Sequence, residues 1–257
     1  MRADFVKTKN WQRFLEGLDG LNARGAEECR LVICDGQPGL GKTTVLARWA
    51  AQQHCVYLRA KAEWSAYWFL RELLSELGEA APHGRQKRFE AALAALGARA
   101  QAADMAEREF AVVIDEADHI AKVAKLVETI RDLADISCVP FVLVGMGSIR
   151  DSLKRFPQTM SRVSRYVRFE TADLDDVRAF FRGKSEVPIA DDLAAFVLRA
   201  TGGYNREILE AIKSIENQAA RIDIADEAVG LTLAEMSGRQ LINDRKTGQA
   251  IQVRAGV

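Results

Sequence analysis

Gly36, Gly41, Lys42 and Thr43 stand at the spacing G-x-x-x-x-G-K-[ST], inside the stretch CDGQPGLGKTT of residues 34–44. These residue types at this spacing hold polyphosphate. The glycines let backbone N–H groups turn inward around phosphate oxygens. The lysine carries positive charge to the β- and γ-phosphates, and the threonine hydroxyl ligates Mg²⁺. Gln37, Pro38, Gly39, Leu40 and Thr44 complete the loop and its exit into a helix, whose positive dipole end adds to the attraction. The expected ligands are ATP and Mg²⁺.

A second stretch, VVIDEAD, supplies acids to match. Asp115 follows four apolar residues, so it falls at the carboxyl end of a buried strand, near the phosphates, where it can hold Mg²⁺ together with Thr43. Glu116, one residue on, is placed to polarise the attacking water as general base. Lysine, metal-holding acid and base together specify hydrolysis of a nucleoside triphosphate.

Residues with these roles need a scaffold that brings distant segments to one edge. The runs RLVIC (30–34), CVYLRA (55–60), FAVVIDEAD (110–118), VPFVLVGMG (139–147) and SRYVRFE (164–170) read as five strands, mostly of continuous apolar type. Segments of helical period alternate with them: 43–52, 64–78, an Ala-rich stretch after residue 88, and 122–135. That alternation predicts an α/β fold, a parallel five-stranded sheet flanked by helices. After residue 171 only helical periodicity continues, in DLDDVRAFF, ADDLAAFVLRA and NREILEAIKSIENQAA. The predicted organisation is a helical lead-in over 1–28, an α/β domain over 29–171, a small all-helical domain over 172–237 and a polar, basic, frayed tail over 238–257. Trp64, Trp68, Leu70, Leu74 and Leu77 predict a packed helix face and not a base-stacking platform.

Composition narrows the partners. Lys+Arg and Asp+Glu both count 36, so contact with nucleic acid must come from a local patch. Four cysteines without a CxxC pair read as core thiols of a reducing compartment, and the three histidines show no HExxH spacing. The N-terminal residues have no apolar core of a signal peptide, and no apolar run reaches membrane-spanning length. The expectation is a cytoplasmic protein without a membrane partner.

The Asp115–Glu116 pair, with helices following the sheet, makes the chain resemble the AAA+ ATPases, P-loop NTPases with a helical lid. The resemblance implies further site residues. VLVGMGS ends a strand where the family places sensor 1, with Met146 and Ser148 as candidates; methionine cannot orient a water, so the position departs from the family. Ser161-Arg162, in QTMSRVSRYVRF, is similar to the Ser-Arg of clamp-loader and initiator ATPases, whose arginine enters the neighbouring subunit's site. Arg155 and Arg165 are rivals for that role. TGGYNREIL resembles sensor 2, which makes Arg206 the arginine that contacts the γ-phosphate.

Within that family the chain resembles the phage Mu B-type transposition ATPases, related to TnsC and TniB, through FVKTKN, GQPGLGKTT and VYLRAKAEWSAYWFLRELLSELG. The phosphate loop is reached by Gly36, so the N-terminal helix-turn-helix region of Mu B is expected to be absent. The resemblance implies ATP-dependent, non-sequence-specific binding of duplex DNA. It implies self-association into helical filaments, delivery of target DNA to a transposase, and hydrolysis that drives disassembly. Arg85, Lys87 and Arg88, in the basic break GRQKR, are the candidate phosphate contacts. Two alternatives stay open: an initiator or helicase-loader ATPase, and a nucleotide-dependent recruitment switch that hydrolyses little.

Overall fold

A computed structural model describes residues 1–22, 30–221 and 229–254. Strands β1 (Leu31–Asp35), β2 (Val56–Arg59), β3 (Val112–Asp115), β4 (Phe141–Val144) and β5 (Val163–Arg168) form one parallel sheet in the order β2-β3-β4-β1-β5. The five runs expected as strands are these five. Every residue of β3 and β4 is buried, as are Leu31–Cys34 of β1. A sheet covered on both faces has no solvent side for polar residues to alternate onto, hence the unbroken apolar runs. The register pairs Cys34 with Val144 and Arg59 with Asp115. The segments leaving β1 to β4 therefore gather at the carboxyl edge of the sheet, where open α/β folds place ligands.

The chain divides into two compact units, residues 13–38 with 42–169, and residues 1–12, 39–41 and 170–257. The first holds the sheet, helices α1 (Lys9–Asn22, its later part), α2 (Lys42–Gln53), α3 (Ala66–Leu77), α4 (Arg85–Met105) and α5 (Ala124–Ser137), and the short α6 (Ile149–Leu153) and α7 (Pro157–Met160). Phe69, Leu70, Leu73 and Leu74 of α3 pack in one core with Leu96 of α4, Leu126 and Ile130 of α5, and Ile114 and Leu143 of the sheet.

Helix α3 starts and stops for local reasons. Ser65 caps it, accepting the Trp68 N–H at 3.2 Å. Gly78, at φ 83°, takes the left-handed turn that ends it, and the Glu79 N–H closes on the Leu74 carbonyl at 2.8 Å. The packed face differs from the expected one. Trp64 is buried but precedes the helix, whereas Tyr67 and Trp68 are 51% and 38% exposed. At 3.6 residues per turn, Ala66, Phe69, Leu70, Leu73, Leu74 and Leu77 share a stripe, and positions 67 and 68 fall beside it. A second difference lies just downstream. Gly84 (φ 92°) turns the chain and α4 begins at Arg85, so the expected basic break is the first turn of a helix.

The second unit holds α8 (Leu174–Lys184), α9 (Asp191–Thr201), α10 (Asn205–Ala219) and a two-stranded antiparallel hairpin of β6 (Gln240–Asn243) and β7 (Ala250–Gln252). Asp173 caps α8 by accepting the Asp176 N–H at 3.1 Å. Val177, Phe181, Leu193, Val197, Ile208 and Ile212 form its core, joined by Leu241, Ile242 and Val253. The expected frayed tail is therefore folded over Gln240–Gln252: three apolar residues in a polar sequence anchor the hairpin.

Of the cysteines, Cys34 is buried, Cys55 is half-buried and Cys138 is exposed. Burial pushes the Cys34 thiol well up and that of Cys55 up to about 12. The expectation of core thiols holds for Cys34; Cys138 sits in the left-handed turn that ends α5, and Cys29 lies outside the described residues.

Candidate nucleotide site

The phosphate loop begins at the end of β1 and ends at the first residue of α2, Lys42. Lys42 is 8% exposed and donates to the carbonyls of Gly36 (2.6 Å) and Gln37 (2.9 Å). Burial lowers its pKa, opposed by the charges of Asp115, Asp118 and Asp35. An ammonium held by carbonyls of its own loop, with acids around it, is poised to exchange them for phosphate oxygens.

Asp115 ends β3 and is buried. Its Oδ2 accepts the Thr43 hydroxyl at 2.7 Å and the Tyr57 hydroxyl at 2.7 Å, and its Oδ1 accepts the Glu116 N–H at 2.8 Å. Loop and β3 are thus joined by one hydroxyl–carboxylate contact. This pair of hard oxygen donors suits Mg²⁺, which takes one or two protein ligands and completes its shell with water and phosphate. Among the described residues no cluster of three or more His, Cys, Asp or Glu could hold a metal by itself. Tyr57, from the neighbouring strand, orients the carboxylate; burial and the Asp115 charge hold its phenol protonated by raising its pKa.

Glu116 has φ 55°, a left-handed conformation that is uncommon for a residue with a side chain. Its carboxylate pairs with Arg59 at 2.5 Å and lies 3.8 Å from His119 Nε2. Strain of this kind persists where the surroundings over-determine it, here at the acid expected to act as base. Two residues on, Asp118 accepts the Met146 N–H at 2.6 Å and the Ser148 hydroxyl at 3.1 Å. A carboxylate, and not Met146, organises the loop after β4; the Met146 side chain is 52% exposed. Gly145 permits this approach, because a methyl group there would lie 2.7 Å from Asp118 Oδ2.

In the other unit, the loop's tip meets the start of α10. The Arg206 N–H donates to the Gly39 carbonyl at 3.2 Å, and Asn205 Nδ2 to the Leu40 carbonyl at 3.1 Å. Gly39 and Gly41 have φ 91° and 82°, and a methyl group on Gly41 would sit 2.7 Å from Asn205 Nδ2. Arg206 itself is exposed.

The other expected residues lie away from the loop. Arg162 precedes β5, whose first residue pairs with Leu31, the first of β1. It therefore stands at the opposite end of the strands, where its Nε donates to Asp135 at 2.9 Å. Its own chain's phosphate loop is out of reach from there. Arg155 is exposed and Arg165 half-buried. In the first turn of α4, Arg85 and Lys87 are exposed. Arg88 is 4% exposed, with its guanidinium 3.6 Å from the Tyr67 ring centroid and donating to the Tyr67 hydroxyl at 2.7 Å. Arg88 was expected to meet DNA phosphate; in this conformation it is buried under an aromatic ring and cannot.

Sequence reasoning missed Tyr57, Arg59 and Asp118. The first two lie in the run read as a second strand and the third in the quoted VVIDEAD. Alternation along β2 was the available signal: buried Val56 and Leu58 leave Tyr57 and Arg59 to project elsewhere.

The family model described as AAA domain matches residues 24–153. No curated protein matches the chain. Among solved structures, Cdc6p from Pyrobaculum aerophilum is 17% identical at TM-score 0.57, covering 86% of this chain and 65% of its own. The ORC2 protein of Aeropyrum pernix is 13% identical at TM-score 0.60, with 86% and 66% covered. A mutant RuvB of Thermotoga maritima is 18% identical at TM-score 0.53, with 88% and 68% covered. The chain thus spans slightly under two thirds of the first two. At these identities the likeness is one of fold.

Proposed function

Because the chain belongs to the AAA domain family, we propose that it is an ATP-hydrolysing, DNA-binding protein that polymerises on duplex DNA, delivers target DNA to a transposase, and disassembles on hydrolysis. The observation that carries the hydrolytic part is the contact of Thr43 with Asp115 at 2.7 Å, with Glu116 as the next residue. Lys42 moves its ammonium from the Gly36 and Gln37 carbonyls to the phosphates. Thr43 and Asp115 would hold Mg²⁺, which when bound neutralises phosphate charge. Glu116 takes the proton of the attacking water, and Arg206, at the start of α10, meets the γ-phosphate. Arg162, at the opposite end of the strands from its own phosphate loop, is the candidate to reach the nucleotide of a neighbouring subunit.

Exposed cations carry the DNA-binding part. Arg85 and Lys87 are exposed, and Tyr67 and Trp68 are large aromatics on the surface. Lys61 lies 5.8 Å from the Trp68 ring. Exposed cations suit the phosphates of a duplex. Among the structural neighbours, the ORC1 protein of Aeropyrum pernix was solved in complex with DNA. The transposition role rests on the Mu B-type sequence resemblance alone, and an initiator or helicase-loader role is its alternative. Electron microscopy of the protein with ATP, with and without duplex DNA, tests the proposal. Filaments requiring both are expected; closed rings or monomers with both present would exclude a filament-forming transposition ATPase.

A further inference from the structure

The turn of the hairpin places a second arginine beside the phosphate loop. Asp244 Oδ1 accepts the N–H groups of Lys246 (2.9 Å) and Thr247 (2.7 Å) and the Thr247 hydroxyl (2.9 Å). The Asp244 and Gln249 backbones close the turn at 2.7 Å. These bonds hold the Asp244 carboxyl below its usual range and fix the backbone that carries Arg245. The Arg245 guanidinium lies 4.2 Å from the Tyr204 ring centroid, and its Nε is 3.6 Å from Glu207 Oε1. Tyr204 and Glu207 flank Asn205 and Arg206 at the start of α10. A methyl group on Gly39 would lie 3.6 Å from both Arg245 Nη1 and Glu207 Oε2.

Glu207 is the unusual member of this group. It is 9% exposed, and its Oε2 is buried with no hydrogen-bond partner among the described residues. A buried carboxylate is poorly screened by salt, so its charge repels an anion held at the loop. A phosphate loop that must accept a polyphosphate gains nothing from such a neighbour unless its charge is masked.

We propose that Arg245 is a positioning residue for nucleotide: it masks the charge of Glu207 beside Gly39 and so permits a polyphosphate at the loop. The inference rests on the reading of residues 36–43 as a nucleotide loop. Arg245 acts through Glu207, and the turn of the hairpin presents it. The AAA domain match ends at residue 153, well before this segment.

The test is a charge-rescue series on the full chain, read as the dissociation constant of fluorescently tagged ATP. Arg245→Ala should weaken binding by about tenfold, the factor carried by a small change in interaction free energy. Arg245→Lys should lose less. Arg245→Ala combined with Glu207→Gln should return affinity to about that of wild type, because no charge then needs masking. Glu207→Gln alone should bind at least as tightly as wild type, and this variant serves if Arg245→Ala does not fold. Unchanged affinity in Arg245→Ala, a double variant no better than the single one, or weaker binding in Glu207→Gln would each overturn the proposal. Failure of the underlying reading looks different: wild type would then bind no nucleotide, or Lys42→Ala would bind it unchanged.

Discussion

Arg59 and Glu116 meet at 2.5 Å where two neighbouring strands end. The register that sets Arg59 opposite Asp115 leaves its side chain one residue away from the expected base. A carboxylate held by a guanidinium is not free to turn toward a water. The pair therefore describes a restrained state of the site.

Removing that restraint should raise turnover. Arg59 is 72% exposed on its side chain, where water and salt screen the pair, so Arg59→Ala should raise basal phosphate release by no more than about fivefold. ATP affinity should stay unchanged, since Lys42 and Thr43 are untouched. A large fall in turnover at unchanged affinity would mean that Arg59 presents Glu116 to the water.

Lys42 predicts two opposed pH dependences. Its pKa in the folded chain is lowered, mainly by burial, from the ordinary 10.5. Between the lowered value and 10.5 the unfolded chain binds more protons at this position, so nucleotide-free stability rises with pH there. ATP binding needs the charged ammonium, so affinity falls over the same window. Thermal melts and binding titrations of wild type against Lys42→Met check both signs. Identical pH slopes in the two proteins would exclude Lys42 as their source.

The basic turn of α4 should divide into two roles. Arg85→Ala with Lys87→Ala should weaken DNA binding on any sequence and reduce its log–log salt slope by about 0.9 per lost phosphate contact. Arg88→Ala should leave that slope unchanged and lower the melting temperature, since its stacking on Tyr67 contributes about 0.5–2 kcal/mol. Binding isotherms over a salt series, with a melt for each variant, separate them.

Arg162 should act on nucleotide chemistry only in an assembly. Arg162→Ala subunits are expected to bind ATP as wild type does, yet fail to polymerise with ATP and DNA and fail to hydrolyse. Sedimentation with DNA and phosphate release read the two losses. Normal polymerisation and turnover would pass the role to Arg155 or Arg165.

The sheet was readable in the sequence because its strands are buried on both faces, which forces continuous apolar runs such as FVLV and the VVI that precedes Asp115. The loop was readable because phosphate binding constrains backbone and side chains within one short run of consecutive residues. What escaped was assembled between segments. Tyr57 orients Asp115 across 58 residues of chain, and Asp118 holds Ser148 across 30, with no local pattern to announce either contact. The hairpin escaped because Leu241, Ile242 and Val253 are too few to stand out in a polar stretch. Arg88 misled because charge in a Gly-preceded stretch reads as solvated, whereas Tyr67, a helix away, covers it.

The central claim is that Glu116 activates water beside Asp115 and Thr43. Steady-state phosphate release by Glu116→Gln, measured with ATP binding on the same protein, tests it most directly. The substitution keeps the shape and removes the base. Turnover should fall by about 10²–10⁴, with ATP and Mg²⁺ still bound and filaments persisting on DNA. Wild-type turnover in Glu116→Gln, with filaments that disassemble as fast as wild type, would contradict the account.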